Sequence, residues 1–71
     1  LGMLAAGVAH EINNPLTWLM GRLESLEHKL DTGEVHREEV KSLVHGALEG
    51  ATRVARITRD LYDFARAPEE D

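Results

Sequence analysis

Leu16-Thr17-Trp18-Leu19-Met20-Gly21-Arg22-Leu23-Glu24-Ser25-Leu26-Glu27-His28-Lys29-Leu30 is the stretch that decides the fold. Its leucines at 16, 19, 23, 26 and 30 alternate between spacings of three and four, the pattern of a helix packed along one stripe in a bundle or coiled coil. Upstream, Leu4, Val8, Ile12 and Leu16 continue the stripe at a constant spacing of four. That departure from a heptad predicts a straighter or kinked helix around residue 10. Downstream, Asp31-Thr32-Gly33-Glu34 supplies turn residues, with the glycine placed to cap a helix C-terminus.

Glu38 and Glu39 suit the first turn of a second helix, where carboxylates complement the helix dipole. That helix carries Val44, Ala47, Ala51, Val54, Thr58, Leu61 and Ala65 on one seam, with Leu43, Gly50, Ile57 and Phe64 beside it. Gly46 and Gly50, lacking side chains, permit close approach of a neighbouring helix. The expected organisation is helix 1 over about 1–31, a turn over about 32–35 and helix 2 over about 36–66. Residues 67–71, Ala-Pro-Glu-Glu-Asp, read as a linker or boundary. So short a connection makes the helices antiparallel neighbours, each about 45 Å long at 1.5 Å per residue. The fold class is therefore all-α. A lone hairpin cannot cover faces this wide, so two chains are expected to dimerise into a four-helix bundle.

A chain of 71 residues is one small domain with a marginal core, and oligomerisation is the expected supplement. With no cysteine, disulfides and thiolate zinc sites are excluded. A net charge of -5 argues against nucleic-acid binding through a general phosphate-attracting surface. The apolar runs are too short for a transmembrane span, so neither membrane contact nor a signal peptide is expected of these residues. Leu1 already lies in phase with the apolar stripe, as if the chain were excised from something longer.

Within Ala6-Gly7-Val8-Ala9-His10-Glu11-Ile12-Asn13-Asn14-Pro15-Leu16, His10 stands apart. It points about 180° away from the centre of the Leu4–Leu16 stripe, so core packing does not account for it. Glu11 lies about 100° round the helix from it, and Asn14, four residues on, nearly above it. An imidazole flanked by a carboxylate and an amide is an accessible nucleophile. Two blander readings stand beside this one: His10 as an ordinary surface histidine, and Asn13-Asn14-Pro15 as a fresh helix start with proline at its first position. If the helix instead runs on, Pro15 removes the bond to the carbonyl of Glu11 and forms a hinge one turn after His10.

The run from His10 to Leu16 resembles the H box of sensor histidine kinases, whose pattern reads His-Glu-aliphatic-x-(Asn or Thr)-Pro-Leu and is matched at every fixed position. Ile57-Thr58-Arg59-Asp60-Leu61-Tyr62-Asp63-Phe64-Ala65-Arg66 is similar, more weakly, to the end of the second helix in the same dimerisation and histidine-phosphotransfer domains. The resemblance implies that His10 accepts the γ-phosphate of ATP and passes it to a response-regulator aspartate. It gives Glu11 an acid/base or orienting role and Asn14 a role in regulator dephosphorylation. It implies a cytoplasmic homodimer that works with the ATP-binding domain of the same kinase and with a regulator's receiver domain. ATP and magnesium would come with that separate domain, expected after Asp71, so this chain alone should not autophosphorylate.

Arg53, Arg56 and Arg59 fall roughly level with His10 in such a hairpin. They could contact phosphate or a partner, although a solvated face with Arg56/Asp60 and Arg59/Asp63 pairs is the simpler reading. No metal site is expected. A His-Glu-x-x-His zinc motif fails because Asn14 occupies its fifth position, and His28, His36 and His45 have no ligand spacing and read as surface or capping residues. The competing classes are a non-catalytic helical dimerisation or signal-transmitting module, and a phosphotransfer protein that never meets ATP.

Overall fold

The computed structural model describes residues 2–66, with side chains from Ala5 onward; the expected linker at 67–71 and the side chain of Leu4 lie outside the described residues. Two helices, α1 (Gly2–Thr32) and α2 (Arg37–Arg66), form an antiparallel hairpin. Helix α1 runs unbroken through Pro15, so Asn13 and Asn14 sit inside a helix and do not start one. Proline lacks the amide that would bond the Glu11 carbonyl, and its ring presses on that carbonyl, so the helix is opened on the face that carries Pro15.

Local chemistry sets both sides of the turn. Gly33 has a φ of 80°, the left-handed conformation that costs least without a Cβ, and it follows the last residue of α1 directly. The Thr32 hydroxyl donates to the Lys29 carbonyl at 3.3 Å, and the Glu34 amide donates to the Thr32 Oγ1 at 3.4 Å. The first rung of α2 runs from the Val40 amide to the His36 carbonyl at 2.9 Å, making His36 the residue that opens the helix. Across the turn, Lys29 Nζ lies 3.0 Å from a Glu39 carboxylate oxygen. The hydrogen bond from Lys29, reinforced by its charge, holds the Glu39 carboxyl below the ordinary glutamate range.

The interface is thin and close. Pro15 is fully buried, opposed by Gly50, and Gly46 and Ala47 complete the buried set on α2. A Cβ at Gly50 would lie 3.1 Å from the Pro15 carbonyl oxygen and 3.3 Å from the Leu19 Cβ, which explains the glycine. Leu43, Val54 and Ile57 are half-buried beside these positions, while Val44, Ala51 and Thr58 are exposed. The face of α2 turned to α1 is therefore the row flanking the expected seam, sharing Ala47 and Val54 with it. Glycine decides which apolar face goes inward, because only that face lets the backbones approach.

The outer part of the seam and the leucine stripe remain open on one side of the hairpin. Met20, Leu23 and Leu30 are 56%, 49% and 58% exposed, and Val44 is 41% exposed. Among the described residues, no helix is long and apolar enough to cross a membrane.

Candidate functional site

Three contacts fix the register: Lys29 with Glu39, Arg22 against Gly46, and Leu19 against Gly50. Carried toward the open end of the hairpin, this register sets His10 level with the turn of α2 that holds Thr58 and Arg59. His10 is exposed, as are Glu11, Asn13 and Asn14, whereas Val8 and Ile12 are half-buried. The helix thus turns its apolar residues toward the hairpin interior and its imidazole outward. Among the described residues, neither ring nitrogen of His10 is held in a hydrogen bond or ion pair. Both are open to a reactant.

Beyond Pro15 the helices leave a wedge between them, lined by Val8 and Glu11 from α1 and by Ile57, Asp60, Leu61 and Phe64 from α2. Phe64 is 68% exposed there. Glu11 therefore stands at the rim of an apolar cleft, one residue from His10. Asn14 lies a turn along on the His10 side of the helix, close above Pro15, the last buried residue of α1 before the wedge.

A second depression flanks the hairpin on the side away from Met20, Leu23 and Leu30. His10, Asn14, Trp18 and Arg22 form one row at spacings of four, and such a row drifts about 40° per step around a helix. It starts at the exposed imidazole and ends between the helices. There Trp18 meets His45, Leu48, Glu49, Thr52, Arg53 and Arg56 around a groove of about 520 Å³. On α1 the groove is lined by Trp18, two turns or about 12 Å from His10, and on α2 it reaches Arg56.

The arginines divide. Arg53 and Arg56 border this groove, and Arg59 does not. The expected Arg56/Asp60 and Arg59/Asp63 ion pairs are absent among the described residues, where the contacts within 4.0 Å are Lys29–Glu39 and, an ion pair only when the imidazole is protonated, His45–Glu49 at 3.7 Å. Long exposed side chains gain too little from such pairing to be fixed by it, so their charge stays available. Among the described residues no group of three histidines, aspartates or glutamates is placed to hold a metal ion.

Sequence reasoning missed Trp18, Leu48 and Thr52 as parts of a surface feature. A signal existed for the first: the chain has a single tryptophan, it sits eight residues after His10, and a cation follows it at the next spacing of four. The Arg22 guanidinium stacks on that ring at 4.5 Å from its centroid, as Arg66 does on Tyr62 at 5.3 Å.

No solved structure matches the chain. Among protein families, the His Kinase A (phospho-acceptor) domain matches residues 1–70, nearly the whole sequence and both helices described above. With an exposed histidine on the first of two antiparallel helices, this chain belongs to the His Kinase A phospho-acceptor family, the acceptor domain of histidine kinases.

Proposed function

We propose that His10 is the phosphoacceptor, taking the γ-phosphoryl group of ATP and passing it to an aspartate on a response regulator. The carrying observation is the unengaged, exposed imidazole of His10, bracketed by Glu11 and Asn14 one turn before a buried proline. In the first step a ring nitrogen attacks the γ-phosphorus in line, an N–P bond forms, and the bond to the bridging oxygen breaks to release ADP. Glu11 accepts the proton or hydrogen bond of the other ring nitrogen, as a carboxylate does for histidine in other sites. In the second step a carboxylate oxygen of the regulator attacks phosphorus and the N–P bond breaks. Asn14, on the same side of the helix, orients the water that later hydrolyses the regulator's acyl phosphate. ATP and magnesium are brought by a catalytic domain of the same kinase.

The exposed apolar side of the hairpin, Met20, Leu23 and Leu30 with Val44, is covered by a second copy to complete a four-helix bundle. That arrangement leaves the opposite groove free. The positive edge made by Arg53 and Arg56 then suits the acidic surface around a regulator's phosphorylatable aspartate.

The decisive experiment is acid-labile label incorporation with the catalytic domain of the kinase and ATP. Labelling should be lost in His10→Gln and retained in His28→Gln, His36→Gln and His45→Gln. Label that survives His10→Gln refutes the assignment, and a wild type that takes no acid-labile label leaves the chain as a non-catalytic dimerisation module.

A further inference from the structure

Gly46 is buried on α2, yet what covers it is one long polar side chain of α1. A Cβ built at Gly46 would meet the Arg22 stem, 2.5 Å from its Cδ and closer still to its Nε. Arg22 therefore crosses the interface through the notch that the missing side chain leaves. Its guanidinium lies over the Trp18 ring at 4.5 Å from the centroid, and both residues are half-buried. Trp18, Arg22, His45, Gly46 and Glu49 also line the shallow depression next to the groove. Trp18, His45 and Glu49 are common to both concavities and form the partition between them, with Trp18 as its α1 side.

We infer that Gly46 is a positioning residue: by admitting Arg22 across the interface it fixes the Trp18 ring as a wall of the groove and so sets how tightly a regulator docks. The functional half of this inference rests on the reading of that groove as the regulator's docking face. The mechanism separates Gly46 from Gly50. At Gly50 a new methyl would meet backbone, whereas at Gly46 it meets the end of a flexible chain that can swing into solvent. Gly46→Ala is thus expected to leave the hairpin folded, to expel Arg22 and to free Trp18.

Trp18 is the sole tryptophan, so its fluorescence reports the partition directly. In the 71-residue chain, Gly46→Ala should red-shift the emission and increase quenching by acrylamide. Arg22→Met should do the same without touching the notch. Because Gly46 acts only through Arg22, the double variant should add nothing to either single one. For function, the chain is phosphorylated chemically with phosphoramidate and mixed with a panel of purified receiver domains. For the domain that the wild type serves best, both variants should raise the KM about two- to fivefold, the factor expected for loss of one cation–π contact, at unchanged maximal rate. Unshifted emission in Gly46→Ala, or additive effects in the double variant, overturns the positioning role. Shifted emission with an unchanged KM overturns its link to docking. A chain whose His10 takes no phosphate from phosphoramidate overturns the reading of the site and the docking link with it, while the fluorescence still decides the role of Gly46.

Discussion

Replacing Gly50 by alanine tests the closest contact in the hairpin. Two terms of opposite sign compete. In a helix interior alanine is favoured over glycine by about 0.8–1 kcal/mol, so an unobstructed substitution stabilises. At Gly50 the new Cβ would lie 3.1 Å from the Pro15 carbonyl oxygen and 3.3 Å from the Leu19 Cβ. Neither neighbour has a rotamer to escape into, since one is backbone and the other a Cβ, so the helices must part by a few tenths of an ångström. Overpacking of this kind costs roughly 1–3 kcal/mol, which gives a net loss of about 0–2 kcal/mol. Gly21→Ala is the control, because nothing lies within 4 Å of the position and only the favourable propensity term remains. The two variants should therefore differ by about 1–3 kcal/mol, or several degrees or more in Tm for a domain of this size. Thermal unfolding followed by circular dichroism at one fixed protein concentration measures the gap. If Gly50→Ala melts with or above Gly21→Ala, the two helices do not touch where Pro15 meets Gly50.

Glu11→Gln should slow autophosphorylation about 10²-fold or more if the carboxylate is the base, whereas Asn14→Ala should spare that step and weaken regulator dephosphorylation; equal effects of both substitutions on both rates would end the division of labour. Sedimentation equilibrium should find a dimer. Met20→Glu or Leu23→Glu should weaken it at least tenfold, since burying one such side chain is worth about 1.5–3 kcal/mol, and a midpoint of unfolding that ignores a hundredfold dilution would contradict the bundle. The Lys29–Glu39 pair predicts a pH dependence of definite sign. Because the folded Glu39 pKa is lowered, its contribution is complete above the unfolded value of about 4.3 and disappears as pH falls through the folded value. Glu39→Gln should therefore lose less stability than the wild type on acidification below about pH 5, and parallel curves would show that the ion pair does not persist in solution.

The hairpin was legible in the leucine spacing from 16 to 30 and in Gly33, because burial periodicity and the need for a left-handed residue are both local properties of the chain. The outward direction of His10 was equally local, a matter of phase against Val8 and Ile12. What spacing could not rank was the pair of adjacent apolar rows on α2. Both have helical period, and the choice between them depends on how near another backbone can come, which Gly46 and Gly50 decide only once a register exists. The same holds for Lys29–Glu39 and for the covering of Gly46 by Arg22, contacts between residues far enough apart in sequence that the turn geometry must be known first. The expected pairs of Arg56 and Arg59 failed for a different reason: spacing permits them, but in water it does not compel them.

The buried positions among the described residues, Pro15, Gly46, Ala47 and Gly50, all lie at the level of Pro15 or nearer the turn, where Lys29 and Glu39 clasp the two helices. At Pro15 the backbone loses a rung and beyond it every described side chain is half-buried or exposed, so the free energy of local opening falls toward the end that carries His10. Amide hydrogens of α1 before Pro15 should therefore exchange well ahead of those between Leu19 and Lys29. Under the proposed function, His10 meets a nucleotide in one encounter and a carboxylate in the next, and its helix has to yield slightly to each. Here it can do so by loosening two or three turns while the clasped remainder of the hairpin stays folded.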